Sequence, residues 1–429
     1  MRQRLIRLGA ALLGLLLLAA GWLWHVNYND GVVLDAAAPT GDGEQLRLRG
    51  AYLARVGNCL GCHTARGGIP GAGGQPIATP FGTVYTSNLT PDADTGIGRW
   101  HAASFWRALH HGRSADGRLL VPVFPYTHTT LLTRQDADAL YTYFSSLPPT
   151  RASTPRHELR WPYGSQLALA VWRALYFRPG SYQPNPDQSA DWNRGAYLVR
   201  GVAHCSACHA PRDRLGGANW QSLDGGVMTA QGWYAPSLTS PHEAGLHDWS
   251  RQDIAALLKT GVAPGASVSG PMAEVVLQGT QHLRTDDVLA MASYLKTQPL
   301  TEAAPPPTSP APPSARSANG EKLYERHCAA CHGERGQGVP GAYPALAGNR
   351  AVTQPHTENL VQIVLHGGFA PATAGNPRPY GMPPFTLSLN DGELAAVLSH
   401  LRRSWGNQAS ELSALDVYRA RADTDARLR

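Results

Sequence analysis

The sequence predicts an all-α protein in which three tandem domains follow an N-terminal apolar segment. A short segment occurs three times, each time shortly before a cysteine pair, as Arg49-Gly-Ala-Tyr-Leu53, Arg194-Gly-Ala-Tyr-Leu198 and Asn319-Gly-Glu-Lys-Leu323. Each of the three units then closes on a stretch with the apolar spacing of a helix, at 136–147, 286–296 and 391–402. No stretch alternates convincingly as a strand does. A chain of 429 residues is also too long for one compact core.

Residues 1–30 are predicted to be a membrane anchor or an export signal. Three arginines precede an apolar run from Leu8 to Trp24. A basic start before an apolar run is typical of a signal, but this run approaches the length of a membrane span and ends on two tryptophans that suit an interface. We favour a retained anchor over a signal cleaved near Ala20. Either reading places the rest of the chain on the periplasmic side of the inner membrane.

Proline-rich segments separate the three units. Many prolines lie between 148 and 190, and 299–315 is almost entirely proline and small residues. The predicted organisation is a first domain at 45–148, a second at 190–298, a linker at 299–315, a third at 316–405 and a polar C-terminal tail at 406–429. The net charge of +6 is scattered without a basic block, which argues against nucleic acid as a partner.

All six cysteines fall into three Cys-x-x-Cys-His motifs: Cys59, Cys62 and His63; Cys205, Cys208 and His209; and Cys328, Cys331 and His332. Two thiols at this spacing can form thioethers to the vinyl groups of one haem, and the adjacent histidine can then ligate the iron. A zinc site would need a second cysteine pair close by, and disulfides would not explain a histidine after every pair. The motifs therefore predict three covalently bound haems c.

Methionines are the predicted distal iron ligands of the second and third haems. Met382 lies in a loop before the last helix of the third unit, and Met272 lies at the matching place in the second. A thioether there gives a closed haem with a raised potential. Met228 is nearer the cysteines, and Met291 is spaced like a helix core residue, so both are weaker candidates.

The first unit has no methionine after Cys62, and Phe124 stands where one is expected. His128, four residues further on, is the candidate distal ligand, and bis-histidine ligation would lower the potential of this haem. Two alternatives stay open: a haem with no distal protein ligand, and His128 as an ordinary loop residue. His110 and His111 are lesser candidates.

A proline follows each motif at a distance, as Pro80, Pro236 and Pro344. A carbonyl at such a proline can accept a hydrogen bond from the proximal histidine Nδ1 and fix the ring. We predict that these three carbonyls do so.

On these residues the chain resembles the three-haem cytochrome c subunits of membrane-bound periplasmic dehydrogenases. The resemblance spans about residue 46 to 408 and is carried by the motifs above together with Phe124-Pro-Tyr126, Gly232-Trp-Tyr-Ala-Pro-Ser-Leu-Thr239, Met272-Ala-Glu-Val-Val276 and Gly381-Met-Pro-Pro384. It implies three tandem cytochrome c-like domains. It also implies a subunit that takes electrons from a catalytic dehydrogenase or molybdenum hydroxylase subunit and passes them to membrane ubiquinone or a terminal oxidase. Many members of this family have methionine at the position of Phe124, and the phenylalanine favours a molybdenum hydroxylase as the partner.

Two other functions are alternatives to a non-catalytic electron-transfer subunit. One is a free-standing periplasmic electron carrier. The other is a peroxidase-like haem enzyme that uses the first haem as an open site. The sequence has no dinucleotide fingerprint, P-loop or nucleophile motif, which favours electron transfer over catalysis.

Overall fold

A computed structural model describes residues 1–29, 31, 38–228, 231–301 and 315–428, and it is largely helical. The chain divides into two compact units. One comprises Met1–Leu53, Cys62–Gln183 and Asp213–Ala218, and the other comprises Ala54–Gly61, Pro184–Arg212 and Asn219–Arg429. The second and third predicted domains thus belong largely to one unit.

The N-terminal part of the chain begins with a long apolar helix. Its 27 residues are exposed except near the C-terminal end, and they are long and apolar enough to cross a membrane. The helices are α1 (Arg2–Tyr28), α2 (Gly43–Val56), α3 (Cys59–Cys62), α4 (Ala102–His111), α5 (Tyr126–Thr129), α6 (Arg134–Ser145) and α7 (Gln166–Tyr176). A small antiparallel sheet in the order β1-β2-β3 is formed by β1 (Pro76–Thr79), β2 (Gly82–Tyr85) and β3 (Glu158–Leu159).

The middle part repeats this pattern with two short hairpins. Its helices are α8 (Ala190–Tyr197), continued by a π-helical turn at Leu198–Val202, then α9 (Ser206–His209), α10 (Arg251–Thr260), α11 (Gly270–Gln278), a 3₁₀ turn at Thr280–His282, and α12 (Thr285–Lys296). The hairpins pair β4 (Gly226–Met228) with β5 (Trp233–Ala235) and β6 (Val262–Ala263) with β7 (Ala266–Ser267).

The C-terminal part contains α13 (Ala315–His327), α14 (Ala329–His332), α15 (Arg350–Thr353), α16 (Glu358–His366), the hairpin of β8 (Gly368–Phe369) with β9 (Gly381–Met382), α17 (Asp391–Arg403) and α18 (Ala414–Leu428). Helix α17 begins with a capping box in which Asn390 and Glu393 bond each other's backbone N–H, and it contributes six of the sixteen buried residues in the core of this part. Val417 of α18 is fully buried in the same core. The segment 406–429 is therefore packed in part, where the sequence predicted a polar tail.

The hairpins correct the expectation of an all-α fold, which the sequence suggested because strands of two to four residues are too short to show an alternating pattern. The predicted Pro-rich linker 299–315 falls largely on 302–314, which lie outside the described residues.

The threefold repeat places a glycine where the first helix of each repeat crosses the last. A Cβ on Gly50 would lie 1.9 Å from the carbonyl oxygen of Ala139. The same distance is 1.9 Å from Gly195 to Ala290 and 2.2 Å from Gly320 to Ala396. Only glycine allows helix backbones to approach this closely, which gives the repeated glycine a physical reason.

An arginine beside the glycine ties the same two helices together in the first two repeats. Arg49 pairs with Asp136, which is 1% exposed, and Arg194 Nε lies 2.7 Å from Asp287 Oδ1. Both aspartates lie in the first turn of the last helix, where negative charge also favours the helix dipole.

Candidate haem sites

Each motif coincides with a helix of a single turn. Helix α3 ends one residue before the motif histidine, and α9 and α14 end at it. Burial and the charge of the nearby Cys208 raise the pKa of the Cys205 thiol to about 12. In the third motif, burial and the charge of Cys331 raise the pKa of the Cys328 thiol to about 11. A zinc ligand must be a thiolate, whereas a thioether carries no charge, so these surroundings suit attachment better than metal coordination. Within the described ranges no group of three His, Cys, Asp or Glu side chains is arranged to hold a metal ion.

The three motif histidines share one arrangement of their rings. Nδ1 of His63 lies 2.7 Å from the Ser87 carbonyl oxygen, that of His209 2.7 Å from Pro236, and that of His332 2.9 Å from Pro344. Burial lowers the pKa of all three imidazoles, and the backbone hydrogen bond opposes it. A neutral ring that donates from Nδ1 presents its Nε2 lone pair outward, as an axial iron ligand must.

The predicted acceptor is thus confirmed for the carbonyls of Pro236 and Pro344, and the prediction is wrong for Pro80. The acceptor in the first site is Ser87, and the Pro80 carbonyl instead accepts from Arg160. The signal was present in the sequence, because Thr86-Ser-Asn-Leu-Thr90 aligns with Ala235-Pro-Ser-Leu-Thr239 and puts Ser87 at the position of Pro236. The backbone carbonyl accepts the bond, so the side chain at this position is free to vary.

The third site contains an apolar cavity of about 770 Å³, counting the space open to solvent at its mouth. Cys328, His332 and Met382 line it together, and most of the remaining wall is aliphatic, including Leu360 and Leu398. The thiol, the imidazole and the thioether that the sequence selected therefore face one apolar space. These residues fit a covalently attached haem, whose macrocycle needs such a space and whose iron needs an imidazole and a thioether.

In the second site Met272 lies in the first turn of α11 and is half-buried. Met291 is 1% exposed within α12, as a core residue is, and Met228 lies in β4 opposite Trp233. Met272 thus precedes the last helix of its repeat as predicted from the sequence, but it lies on a helix of its own and not in a loop. Its role as distal ligand stays a prediction.

Backbone hydrogen bonds align the first repeat with the second and show which residue of the first repeat corresponds to Met272. Helices α4 and α10 both end on a left-handed glycine, Gly112 with φ 57° and Gly261 with φ 79°. The carbonyl of each accepts a hydrogen bond of 2.9 Å from the chain that returns from the following turn, at Leu120 N in the first repeat and Val268 N in the second. Counting four residues on from these two donors brings Phe124 to the position of Met272.

By the same count His128 corresponds to Val276, and both are buried, at 1% and 0% exposure. The Nδ1 of His128 lies 3.0 Å from Thr127 Oγ1. His110 is also buried and stacks on Trp106 with ring centroids 4.2 Å apart, while its Nδ1 has no hydrogen-bond partner among the described residues. The assignment of His128 as the distal ligand stays a prediction.

The second and third repeats meet at β5 and α16. The Asn359 side chain accepts from Tyr234 N at 2.8 Å and donates to Tyr234 O at 2.7 Å, and the His356 ring stacks on that of Tyr234 with centroids 3.8 Å apart. Arg350 Nη1 donates to the Gly245 carbonyl at 2.5 Å. Side chains of the third repeat therefore hold backbone groups of the second.

Among known protein families, the cytochrome c family model matches this chain at residues 193–299 and 317–405. The chain is 37% identical over 412 residues to the cytochrome c subunit of alcohol dehydrogenase (quinone) from Gluconacetobacter polyoxogenes, covering 91% of this chain and 87% of that protein. It is 36% identical over 400 residues to the gluconate 2-dehydrogenase cytochrome c subunit of Pantoea cypripedii, covering 89% and 90%. It is 40% identical over 364 residues to one of the subunits of nicotinate dehydrogenase from Pseudomonas putida, covering 82% of this chain and 30% of that protein.

Proposed function

Because this chain belongs to the family of cytochrome c subunits of dehydrogenases, we propose that it carries three covalently bound haems c between a catalytic subunit and an acceptor in the membrane. The proposed acceptor is ubiquinone or a terminal oxidase. The proposed place is the periplasmic side of the inner membrane, with α1 as a retained anchor.

The repeated proximal arrangement carries the proposal of three haems. In all three repeats a motif histidine bonds a backbone carbonyl through Nδ1, at 2.7 to 2.9 Å. A disulfide would not need this bond, whereas a metal-ligating histidine uses it to fix the ring and raise its basicity. Zinc would also need further ligands, and the described residues hold no group of three His, Cys, Asp or Glu side chains that could supply them. The bound haem supplies one-electron chemistry at its iron.

The residues of this chain have separate roles in the proposal. The six motif cysteines attach the macrocycles, and His63, His209 and His332 ligate from the proximal side. Met272 and Met382 ligate from the distal side and raise the potentials of the second and third haems.

The first haem differs because Phe124 has no atom that can ligate iron. We propose His128 as its distal ligand. Changing His128 to Ala should then alter the low-spin spectrum of one haem in three, and an unchanged spectrum would remove His128 from the site.

The segment before Met272 supports electron transfer between the second and third haems. Ser267 and Ser269 of the second repeat line the cavity of the third site, together with His332 and Met382. Ser269 is only three residues before Met272 and directly precedes the helix that carries it. The proposed distal side of the second haem therefore adjoins the wall of the third, a short separation that favours electron transfer.

The catalytic partner is proposed to be a dehydrogenase, of which the molybdenum hydroxylase type is the favoured subclass. Phe124 and the 40% identity to a nicotinate dehydrogenase subunit support that subclass. Relatives named for alcohol and gluconate dehydrogenases support the wider class.

The test is a haem count on the purified chain followed by reduction with a partner. Haem and protein assays should give three haems per chain, and replacing Cys59 and Cys62 by Ser should give two. The haems should become reduced when the co-purifying catalytic subunit receives its substrate. Two haems in the unaltered chain would refute the assignment, and rapid peroxide turnover by the chain alone would favour a peroxidase-like enzyme.

A further inference from the structure

The exposed face of helix α7 has a composition that is unusual for a surface in water. Leu167, Val171 and Leu175 are 69%, 41% and 59% exposed. They follow one another at intervals of four residues and therefore form one aliphatic stripe along the helix, about 12 Å long at a rise of about 1.5 Å per residue. The tryptophan that precedes the helix, Trp161, is 90% exposed.

The opposite face of α7 holds the end of α1. Asn27, which is 2% exposed, donates from Nδ2 to the Ala170 carbonyl at 3.1 Å, and its Oδ1 accepts from Arg173 Nε at 2.8 Å. Tyr28 packs beside Leu169 and Ala170. The last turn of the apolar helix is therefore fixed to α7 by buried polar and apolar contacts, which a freely jointed anchor would not have.

This junction lies close to the end of the apolar run of α1. The apolar run of α1 ends at Trp24, and tryptophan prefers the interface between lipid and water. Asn27 is three residues further on, which is about 4.5 Å along a helix. An amphipathic helix at an interface buries its apolar face roughly 5–10 Å into the boundary between headgroups and acyl chains. With α1 in the membrane, α7 would therefore lie at a depth where its stripe could reach lipid.

We propose that the aliphatic stripe of α7, Leu167, Val171 and Leu175, together with Trp161, lies in the interfacial region of the membrane that α1 enters. The stripe carries no charge, and an aromatic residue next to it suits the headgroup level. The chain would then have two membrane contacts, one spanning and one interfacial. This inference rests on the proposed retention of α1 as an anchor.

The experiment uses the full-length haem-loaded chain in vesicles of phosphatidylcholine and phosphatidylglycerol that contain a phospholipid with a diazirine near the start of one acyl chain, next to the glycerol, which is the depth an interfacial helix reaches. After irradiation, mass spectrometry of the peptides locates the lipid adducts. We expect adducts on the peptide that contains 167–175 and on the peptides of α1, and none around Ile69, which is as exposed (57%) but belongs to another surface loop. Replacing Leu167, Val171 and Leu175 by Ser should reduce labelling of α7 at least fivefold while labelling of α1 is unchanged.

Each contrary outcome has its own meaning. Labelling of α1 without labelling of α7 would overturn the inference and leave the anchor intact. Absence of lipid labelling from both helices would instead contradict the proposed anchor. Protection of α7 only when the catalytic subunit is bound would assign the stripe to that subunit and refute a lipid contact. If the triple variant loses its haem spectrum, the single change Trp161→Ser provides the same comparison at a residue that is almost fully exposed, with an expected loss of at least twofold in labelling of the peptide that contains it.

Discussion

The contact between Asn359 and Tyr234 offers a direct test of how the second and third haem sites are held together. Replacing Asn359 by Leu keeps the volume and removes two hydrogen bonds, of 2.8 and 2.7 Å, to the backbone of Tyr234. The residue is half-buried, so each bond should contribute about 1 kcal/mol rather than the larger cost of an isolated buried group. The loss of about 2 kcal/mol corresponds to a roughly 30-fold larger ratio of separated to docked repeats.

A second contact allows the effect to be graded. Arg350 donates to Gly245 and lies over the ring of Trp249 at 5.5 Å, contacts that together contribute about 2 kcal/mol. The double change of Asn359 and Arg350 to Leu should therefore increase the separated fraction about 1,000-fold. Asn359→Asp keeps the acceptor for Tyr234 N–H and loses the donor, so its effect should be intermediate.

The assay is pulsed one-electron reduction followed by optical detection of electron transfer between the second and third haems. In the unaltered protein, electron transfer should occur in one fast phase. The variants should add a slow phase whose amplitude grows from Asn359→Asp to Asn359→Leu to the double variant. Asn359 does not line the third cavity, so the potentials and spectra of the haems should stay the same in the two single variants. A single fast phase in the double variant with intact spectra would refute the idea that these side chains position the haems.

Three further predictions concern the fold, the first haem and pH. Gly195→Ala places a methyl group 1.9 Å from a helix carbonyl and should lower the free energy of unfolding by about 3 kcal/mol or more. The control Gly180→Ala, whose new Cβ would have nothing within 4 Å, should change it by no more than about 0.5 kcal/mol. Thermal unfolding followed by circular dichroism compares the two variants. Phe124→Met should raise the midpoint potential of one haem in three in a redox titration, since a thioether ligand favours the reduced iron; no change would show that this position faces away from the iron. The Glu358 carboxylate, with Oε2 3.7 Å from His356 Nδ1, raises the pKa of His356, so the stabilisation by the charged imidazole is present below about pH 6.5 and is lost as the pH rises through the raised value. Because both groups are more than a third exposed, the stability of the unaltered protein relative to His356→Phe should fall by only about 0.3 kcal/mol between pH 5 and 8, and a difference that is constant with pH would contradict the role of this pair.

The sequence contained most of the information on attachment and family, because covalent haem chemistry requires particular residue types at fixed spacing. It also located the repeated segment around Gly50, Gly195 and Gly320. It could not show why the glycine recurs, since the reason is a carbonyl of the last helix, 76 to 95 residues away in the chain, that leaves no room for a Cβ. The hairpins were missed for a different reason: β6 and β7 have two residues each, and their pairing depends on the turn between them.

The first haem site shows how residue types and backbone register combine. The sequence places Phe124 where a methionine is expected and selects His128 as the nearby side chain that can ligate iron. The backbone agrees on Phe124, because the hydrogen bonds to the carbonyls of Gly112 and Gly261 put it at the position of Met272. The donors of these bonds lie eight residues after Gly112 and seven after Gly261, an offset that residue types alone do not show. Paired changes at Phe124 and His128 therefore test the first haem directly, because loss of the low-spin signal in His128→Ala would identify the ligand and a raised potential in Phe124→Met would place that position at the iron.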